Sequence, residues 1–397
     1  ESWRVGELEG RRVGRPPLYL SIQSVVCYNP IMVLSNLAII NHIAMNRRKF
    51  NQNLSLGVFG SALLPGCKVE GQETAPPFPK PNKLIKPRRL KTGDTIGLIT
   101  PGSFIPDKAL EKAIGNVKKL GFKVKQGKHL RALRGYNAGT DAQRLEDLHT
   151  MFEDETVDAI WCARGGYGCT RILPMIDYDL ISKKPKALIG YSDITALHNA
   201  LLQKCNLVSF HAPVASSTMT DYASQQFKSV LMEPQANYTI NLSQKNKAIK
   251  DELYQPKTIV GGKIQGQLIG GNLSLLAAMA GTEFEIDAAN KIVFMEDIEE
   301  KPYRIDRMLT QLRQSSNLSQ AAGFALGIFA DCVPEPEDRS LSLIEAVEDR
   351  LKDLNKPTAY GLSWGHISNQ ATLPVGVNVE LDADRFTLTL LESGVVM

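Results

Sequence analysis

The sequence predicts an α/β protein with an N-terminal parallel-sheet domain, Rossmann- or flavodoxin-like, and a smaller C-terminal α/β domain. Three observations carry this. Short apolar runs alternate with helix-length segments from Asp94 to Phe210, the rhythm of a parallel sheet covered on both faces. That rhythm fails over 223–260 and resumes at Gly262, so two domains, 89–222 and 261–397, are expected with a linker between them. The run Thr95–Thr100 ends in Pro101-Gly102-Ser103, which reads as a buried strand followed by a turn.

In chain order, residues 1–44 show no sustained period and read as a non-native upstream extension, with Met45 as the start. Met-Asn-Arg-Arg-Lys-Phe from Met45, an apolar run from Leu54 and the small residues before Cys67 have the layout of an export signal over 45–67. Arg47-Arg48 resembles a twin-arginine signal. Leu64-Pro65-Gly66-Cys67 resembles a lipobox in which Pro65 is unusual, and it would make Cys67 a lipidated membrane anchor. The apolar run is too short for a comfortable membrane span. An exported protein, periplasmic or lipid-anchored, is the expectation, with a cytoplasmic one the alternative. Residues 68–88, rich in Pro, Lys and polar side chains, read as a tether.

The N-terminal domain is expected to run as strand Thr95–Thr100, helix 108–120, strand 122–125 and helix 141–153. Strand 159–163, helix 170–176, strand 187–190, helix 194–204 and strand 207–210 complete it. Gln244 to Glu252 is polar and reads as interdomain link. Beyond it the pattern predicts strand 262–268, a helix from Leu273, strand 292–295, helix 303–313, strand 325–329, helix 342–354 and strand 359–364. Val375 to Leu381 and Arg385 to Leu391 read as a closing antiparallel hairpin.

Composition narrows the chemistry. The net charge is +4, with basic residues gathered near the N-terminus and no later basic stripe interleaved with aromatics, so nucleic acid is not an expected partner. The six cysteines form no CxxC pair; Cys162 and Cys169 flank a glycine run without a zinc spacing and read as buried thiols. No HExxH or comparable ligand set occurs, so no metal or cofactor is expected.

Three segments could carry catalysis. Arg164-Gly-Gly-Tyr-Gly168 follows a strand, and its glycines let backbone N–H groups approach a ligand, as a phosphate cradle, an oxyanion hole or simply a tight turn. Ser192, in Gly190-Tyr-Ser-Asp193, sits on a strand-to-helix turn as a nucleophile elbow requires, with the Asp193 N–H at the helix pole. The final Gly of G-x-S-x-G is replaced by Ile194, and an N-cap role for Ser192 or Asp193 is the simpler reading. A serine nucleophile needs a base. His42 lies outside the domains, His129 and His149 fall in early elements, and His198 is six residues along the helix and points away, which leaves His211 and His366. His366 ends an apolar strand before the polar Ser368-Asn369-Gln370, which suits a cleft, although a structural histidine fits there equally. The orienting acid belongs in Glu296-Asp297, at the end of strand 292–295.

Taken in order, Ile99-Thr-Pro101, Arg164-Gly-Gly-Tyr-Gly168, Gly190-Tyr-Ser-Asp193, Phe294-Met-Glu-Asp297, Tyr303-Arg-Ile-Asp-Arg307, Gly365-His366 and Pro374-Val-Gly376 resemble the LD-carboxypeptidase family. That family also contains the microcin C immunity peptidases. The resemblance covers Pro87 to Val396. It implies Ser192 as nucleophile, Glu296 as orienting acid, His366 as base, and the N–H groups of Gly166 and Asp193 as the oxyanion hole. It further implies a serine carboxypeptidase without metal or cofactor. Such an enzyme would hydrolyse the bond between the L-centre of a diamino acid and terminal D-alanine in peptidoglycan tetrapeptides. Arg164, Tyr167 and Arg304 are candidates for substrate binding, and a homodimer is the expected assembly.

Overall fold

The computed structural model describes residues 83–397 except Ala236 and Asp338. The expected upstream extension, the export segment, Cys67 and residues 68–82 of the tether lie outside the described residues.

Five parallel strands form the N-terminal sheet: β1 (Thr95–Ile99), β2 (Lys123–Gln126), β3 (Ala159–Cys162), β4 (Ala187–Gly190) and β5 (Ser209–His211). Their spatial order, β2-β1-β3-β4-β5, is the doubly wound order whose ligand crevice opens at the carboxyl ends beside β1 and β3. β3 and β4 read Ala-Ile-Trp-Cys and Ala-Leu-Ile-Gly and are buried throughout, because helices cover both faces. Helix Asp107–Lys119 lays Leu110, Ala113 and Val117 into the core. Each side chain of leucine size buried this way contributes about 1.5–3 kcal/mol. Helix Asp141–Glu153 starts at a capping box: Gln143 N–H donates to Thr140 Oγ1 at 3.2 Å, and Thr140 N–H donates to Gln143 Oε1 at 2.9 Å. It packs so close to β1 that a side chain at Gly97 would meet Met151 Sδ at 2.7 Å.

Residues 223–260, expected as a linker, are built into the fold. They carry β6 (Tyr238–Ile240) and β7 (Lys257–Val260), which close the two edges of the second sheet. That sheet also holds β8 (Lys263–Asn272), β9 (Lys291–Glu296), β10 (Gly323–Leu326) and β11 (Thr358–Tyr360). β12 (Leu373–Val375) belongs elsewhere, and β13 (Asn378–Asp382) and β14 (Thr387–Leu390) end the chain. The eight-stranded order is β6-β14-β13-β8-β9-β10-β11-β7, parallel from β8 to β11 and antiparallel outside. The loss of apolar rhythm that suggested a linker reflects two short edge strands that are only partly buried.

The closing hairpin forms from β13 and β14, but Val375 does not belong to it. β12 crosses back and pairs antiparallel with β5 as an edge strand of the N-terminal sheet, where Pro374 is tolerated because an edge can lack a donor. The end of the expected tether also joins the fold: Ile85 N–H donates to Asn206 O at 2.8 Å, and Val208 N–H donates to Ile85 O at 2.9 Å. The domains are therefore interleaved.

Candidate active site

β4 ends at Gly190, the chain turns at Tyr191, and a short 3₁₀ turn Ser192–Ile194 leads into helix Thr195–Cys205. Ser192 has φ 65°, in the left-handed region that costs an L-residue about 1–2 kcal/mol. The turn is crowded: a side chain at Gly165 would lie 3.1 Å from Ser192 Cβ, and one at Gly190 would lie 2.9 Å from Ile194 Cγ1. Neither Ser192 nor Asp193 caps the helix with its side chain. The Asp193 carboxylate points inward and accepts from Cys169 N–H at 2.9 Å. Burial holds its pKa above the usual carboxylate range, with the Cys169 contacts opposing the shift.

The loops after β1 and β3 are fastened to this turn. Ser103 N–H donates to Gly165 O at 3.0 Å, and Tyr167 N–H donates to Ser103 Oγ at 3.0 Å. Gly166 has φ 96° and faces Ser103 so closely that a Cβ there would meet its Oγ at 2.3 Å. Beneath them the buried Arg144 donates through Nη1 to Pro101 O at 2.6 Å and to Gly168 O at 2.8 Å, and it also contacts Asp141. The helical pattern around Leu145 gave no hint that this arginine is buried. Its sequence signal is an Arg beside the apolar stripe three residues after an Asp.

Glu296 ends β9, fully buried, and its Oε2 accepts from His366 Nδ1 at 2.7 Å. His366 Nε2 lies 3.0 Å from Ser192 Oγ. Ser192, His366 and Glu296, widely spaced in sequence, form one hydrogen-bonded chain. Burial alone would lower the His366 pKa, but the charge and hydrogen bond of Glu296 outweigh it and the net shift is upward. Gly365 has φ 123°, and a Cβ there would meet Ile328 O at 2.5 Å and Glu296 Cβ at 3.3 Å, so only glycine lets the chain deliver the imidazole against the carboxylate. Ser363 Oγ accepts from Ser243 N–H at 2.8 Å, and Asn369 O accepts from Asn246 Nδ2 at 3.0 Å. Part of the stretch read as a linker thus braces the histidine loop.

Asp297 faces away from this chain. Its carboxylate accepts from Asn272 Nδ2, Ser274 N–H, Ser274 Oγ and Ile298 N–H at 2.8–3.0 Å. Burial and the neighbouring Glu296 charge push its pKa up to about 6. Asn272 also caps helix Leu273–Met279. Its N–H donates to Thr195 Oγ1 at 2.9 Å, while Asn199 Nδ2 donates to Gly270 O at 3.0 Å. The helix that begins just after Ser192 is thereby docked onto β8, the neighbour of the strand that carries Glu296. Gly270 and Gly271, at φ 131° and 138°, allow that approach.

The remaining sequence candidates are distributed as follows. His198 is a structural histidine: its ring contacts Ser209 Oγ at 2.8 Å and Gly190 O at 2.9 Å, and burial lowers its pKa to about 4. His211 is fully buried on β5, and burial drives its pKa well down, so of the two candidate bases only His366 reaches Ser192. Arg164 Nη1 donates to Phe104 O at 3.0 Å and its guanidinium lies over the Phe104 ring. Tyr167 is exposed and packs edge-on against Tyr136. Arg304 is paired with Glu300 at 3.3 Å and with Tyr303 on the outer helix Pro302–Ser315. Beside His366 opens a cavity of about 300 Å³ lined by Lys112, Tyr191, Pro213, Ser217, Thr218, His366, Ile367 and Ser368. Neither arginine lines it, and Lys112 and the 213–218 loop were not anticipated. Cys162 and Cys169 are buried free thiols. Among the described residues no cluster of His, Cys, Asp or Glu could hold a metal ion.

Residues 96–212 match the LD-carboxypeptidase N-terminal domain and residues 265–381 the LD-carboxypeptidase C-terminal domain. The chain is 41% identical over 315 residues to a probable murein peptide carboxypeptidase of Bacillus subtilis, covering 78% of this chain and 95% of that one. The chain belongs to the LD-carboxypeptidase family.

Within the LD-carboxypeptidases, it is also 34% identical over 299 residues to the murein tetrapeptide carboxypeptidase of Pseudomonas aeruginosa, covering 73% and 94% of the two chains. Among solved structures it resembles the muramoyltetrapeptide carboxypeptidase of Oxalobacter formigenes, with TM-score 0.65, 30% identity, and coverage of 75% and 99%. The two LD-carboxypeptidase matches separate the site residues: one holds Ser192 and the other holds Glu296 and His366.

Proposed function

We propose that this chain is a serine LD-carboxypeptidase that removes terminal D-alanine from peptidoglycan tetrapeptides by cleaving its amide to the L-centre of the diamino acid. The observation that carries this reading is the hydrogen-bonded chain from Ser192 Oγ through His366 to Glu296 Oε2. With Nδ1–H donating to Glu296, the imidazole presents a bare Nε2 to Ser192, the tautomer a general base needs. His366 takes the Ser192 proton as Oγ attacks the scissile carbonyl. The N–H groups of Gly166 and Asp193 receive the oxyanion, a role supported by the close packing of the glycine loop on the elbow. His366 then gives its proton to the departing amine of D-alanine, and water, deprotonated by the same nitrogen, hydrolyses the acyl-serine.

The test is incubation of purified protein with a defined tetrapeptide and mass measurement of the products. Tripeptide plus D-alanine is expected. An intact tetrapeptide, with cleavage of an aminoacyl nucleotide instead, would replace this reading by an immunity-type peptidase. We further propose that the protein acts outside the cytoplasm, supported by the basic and apolar layout of residues 45–67. Changing Arg47 and Arg48 to Lys and fractionating cells tests the route; unchanged export excludes a twin-arginine signal.

A further inference from the structure

A carboxypeptidase must recognise a free carboxylate one residue beyond the scissile bond. We infer that Lys112 binds that carboxylate in the cavity beside His366. This rests on the carboxypeptidase reading above. His366 must hand its proton to the leaving amine, so the leaving residue lies against the imidazole. The cavity of about 300 Å³ lies against His366, and Lys112 shares its wall with the imidazole. Lys112 is the only Lys, Arg, Asp or Glu of that wall; the rest is hydroxyl, aromatic and apolar. Its ammonium donates to Thr218 Oγ1 at 3.0 Å and has no carboxylate partner among the described residues. By contrast Arg164 is held on the Phe104 carbonyl and Arg304 on Glu300.

The wall is also built. One turn along helix Asp107–Lys119, Asn116 Nδ2 donates to Ala215 O at 2.7 Å and to Ser217 O at 2.8 Å. Residues four apart share a helix face, so the side chain that fastens the 215–217 backbone lies beside the one that presents the ammonium. Thr218 holds the amine in the cavity, and its hydroxyl can serve as a second donor to the incoming carboxylate. Lys112 is otherwise exposed on the helix, so replacing it leaves the fold intact.

The experiment measures kcat and KM for wild type, Lys112→Met and Lys112→Arg on two peptides: the tetrapeptide with a free terminal carboxylate and its C-terminal amide. Loss of one charge-assisted hydrogen bond is expected to lower kcat/KM of Lys112→Met on the acid by about 10- to 100-fold, mostly through KM. The amide should be cleaved equally by both proteins, and Lys112→Arg should retain most of the preference for the acid. Equal losses on both peptides, or no loss on either, overturn the assignment while leaving the carboxypeptidase reading intact. A wild-type protein that cleaves neither peptide removes both.

Discussion

Replacing Glu296 by Gln isolates one charge at the centre of the site. The side chain is wholly buried, keeps its shape in the substitution, and contacts His366 Nδ1 through Oε2 at 2.7 Å. Its other oxygen has no hydrogen-bond partner among the described residues, so no second charge-assisted bond changes with it. In the transition state the imidazole becomes cationic. Two unit charges at that separation attract by about 6 kcal/mol at an effective dielectric of about 20. With about 1.4 kcal/mol per tenfold in rate, losing the charge lowers kcat by roughly four decades. That is the scale seen when the acid of a Ser-His-Asp triad is neutralised, about 10⁴. An amide that turns its NH₂ toward Nδ1 adds to the loss, because it moves the imidazole proton to Nε2. The assay is D-alanine release from one tetrapeptide at one pH, with thermal denaturation to show that the variant is folded. Glu299→Gln and Glu300→Gln serve as controls: Glu299 is exposed in the turn after β9 and Glu300 pairs with Arg304, so both should stay within a few-fold of wild type. A folded Glu296→Gln within tenfold of wild type, or a crippled Glu299→Gln, refutes the reasoning.

Four further outcomes are expected. The base must be neutral, and Glu296 raises the His366 pKa, so kcat/KM should climb with pH through a midpoint above about 6.5 and move lower in Glu296→Gln; an unmoved limb removes His366 as the titrating group. The same raised pKa makes the imidazolium stabilise the fold fully below about pH 6.5, with that contribution lost as pH rises through the folded value. Ser192→Gly should abolish D-alanine release yet raise unfolding stability by about 1 kcal/mol in urea titration, since φ 65° suits glycine; a less stable variant contradicts the strained elbow. Gly271→Ala places a Cβ 2.4 Å from Thr195 Oγ1 at φ 138°, and should cost about 3 kcal/mol and depress kcat together, because the same clash moves Ser192 away from His366; wild-type activity and stability would show that this contact is not the hinge of the site.

Much of this molecule is legible locally. Apolar runs such as Ala159–Cys162 and Ala187–Gly190, and the serine on a strand-to-helix turn, are written in neighbouring residues, and the structure has each of them. Periodicity depends on residues a few positions apart, so a single chain reveals it. Edge strands such as Tyr238–Ile240 and Lys257–Val260 escape this reading, because a short, partly buried strand with a polar flank resembles a loop.

By itself, then, the sequence determined the alternating α/β class, the turn that carries Ser192, the strand end that carries Glu296, and two histidines able to serve as base. The tertiary structure decided between those histidines, since His366 and Ser192 are 174 positions apart and meet only when the two sheets dock through Thr195, Asn272 and the glycines of β8. It also decided that Arg144 and Asp193 are buried braces, that β12 returns to the first sheet, and that Lys112 stands in the wall beside the imidazole. Such contacts arise from packing between segments distant in the chain, which no local pattern encodes; each forms only where the burial of both domains brings the backbone within hydrogen-bond reach.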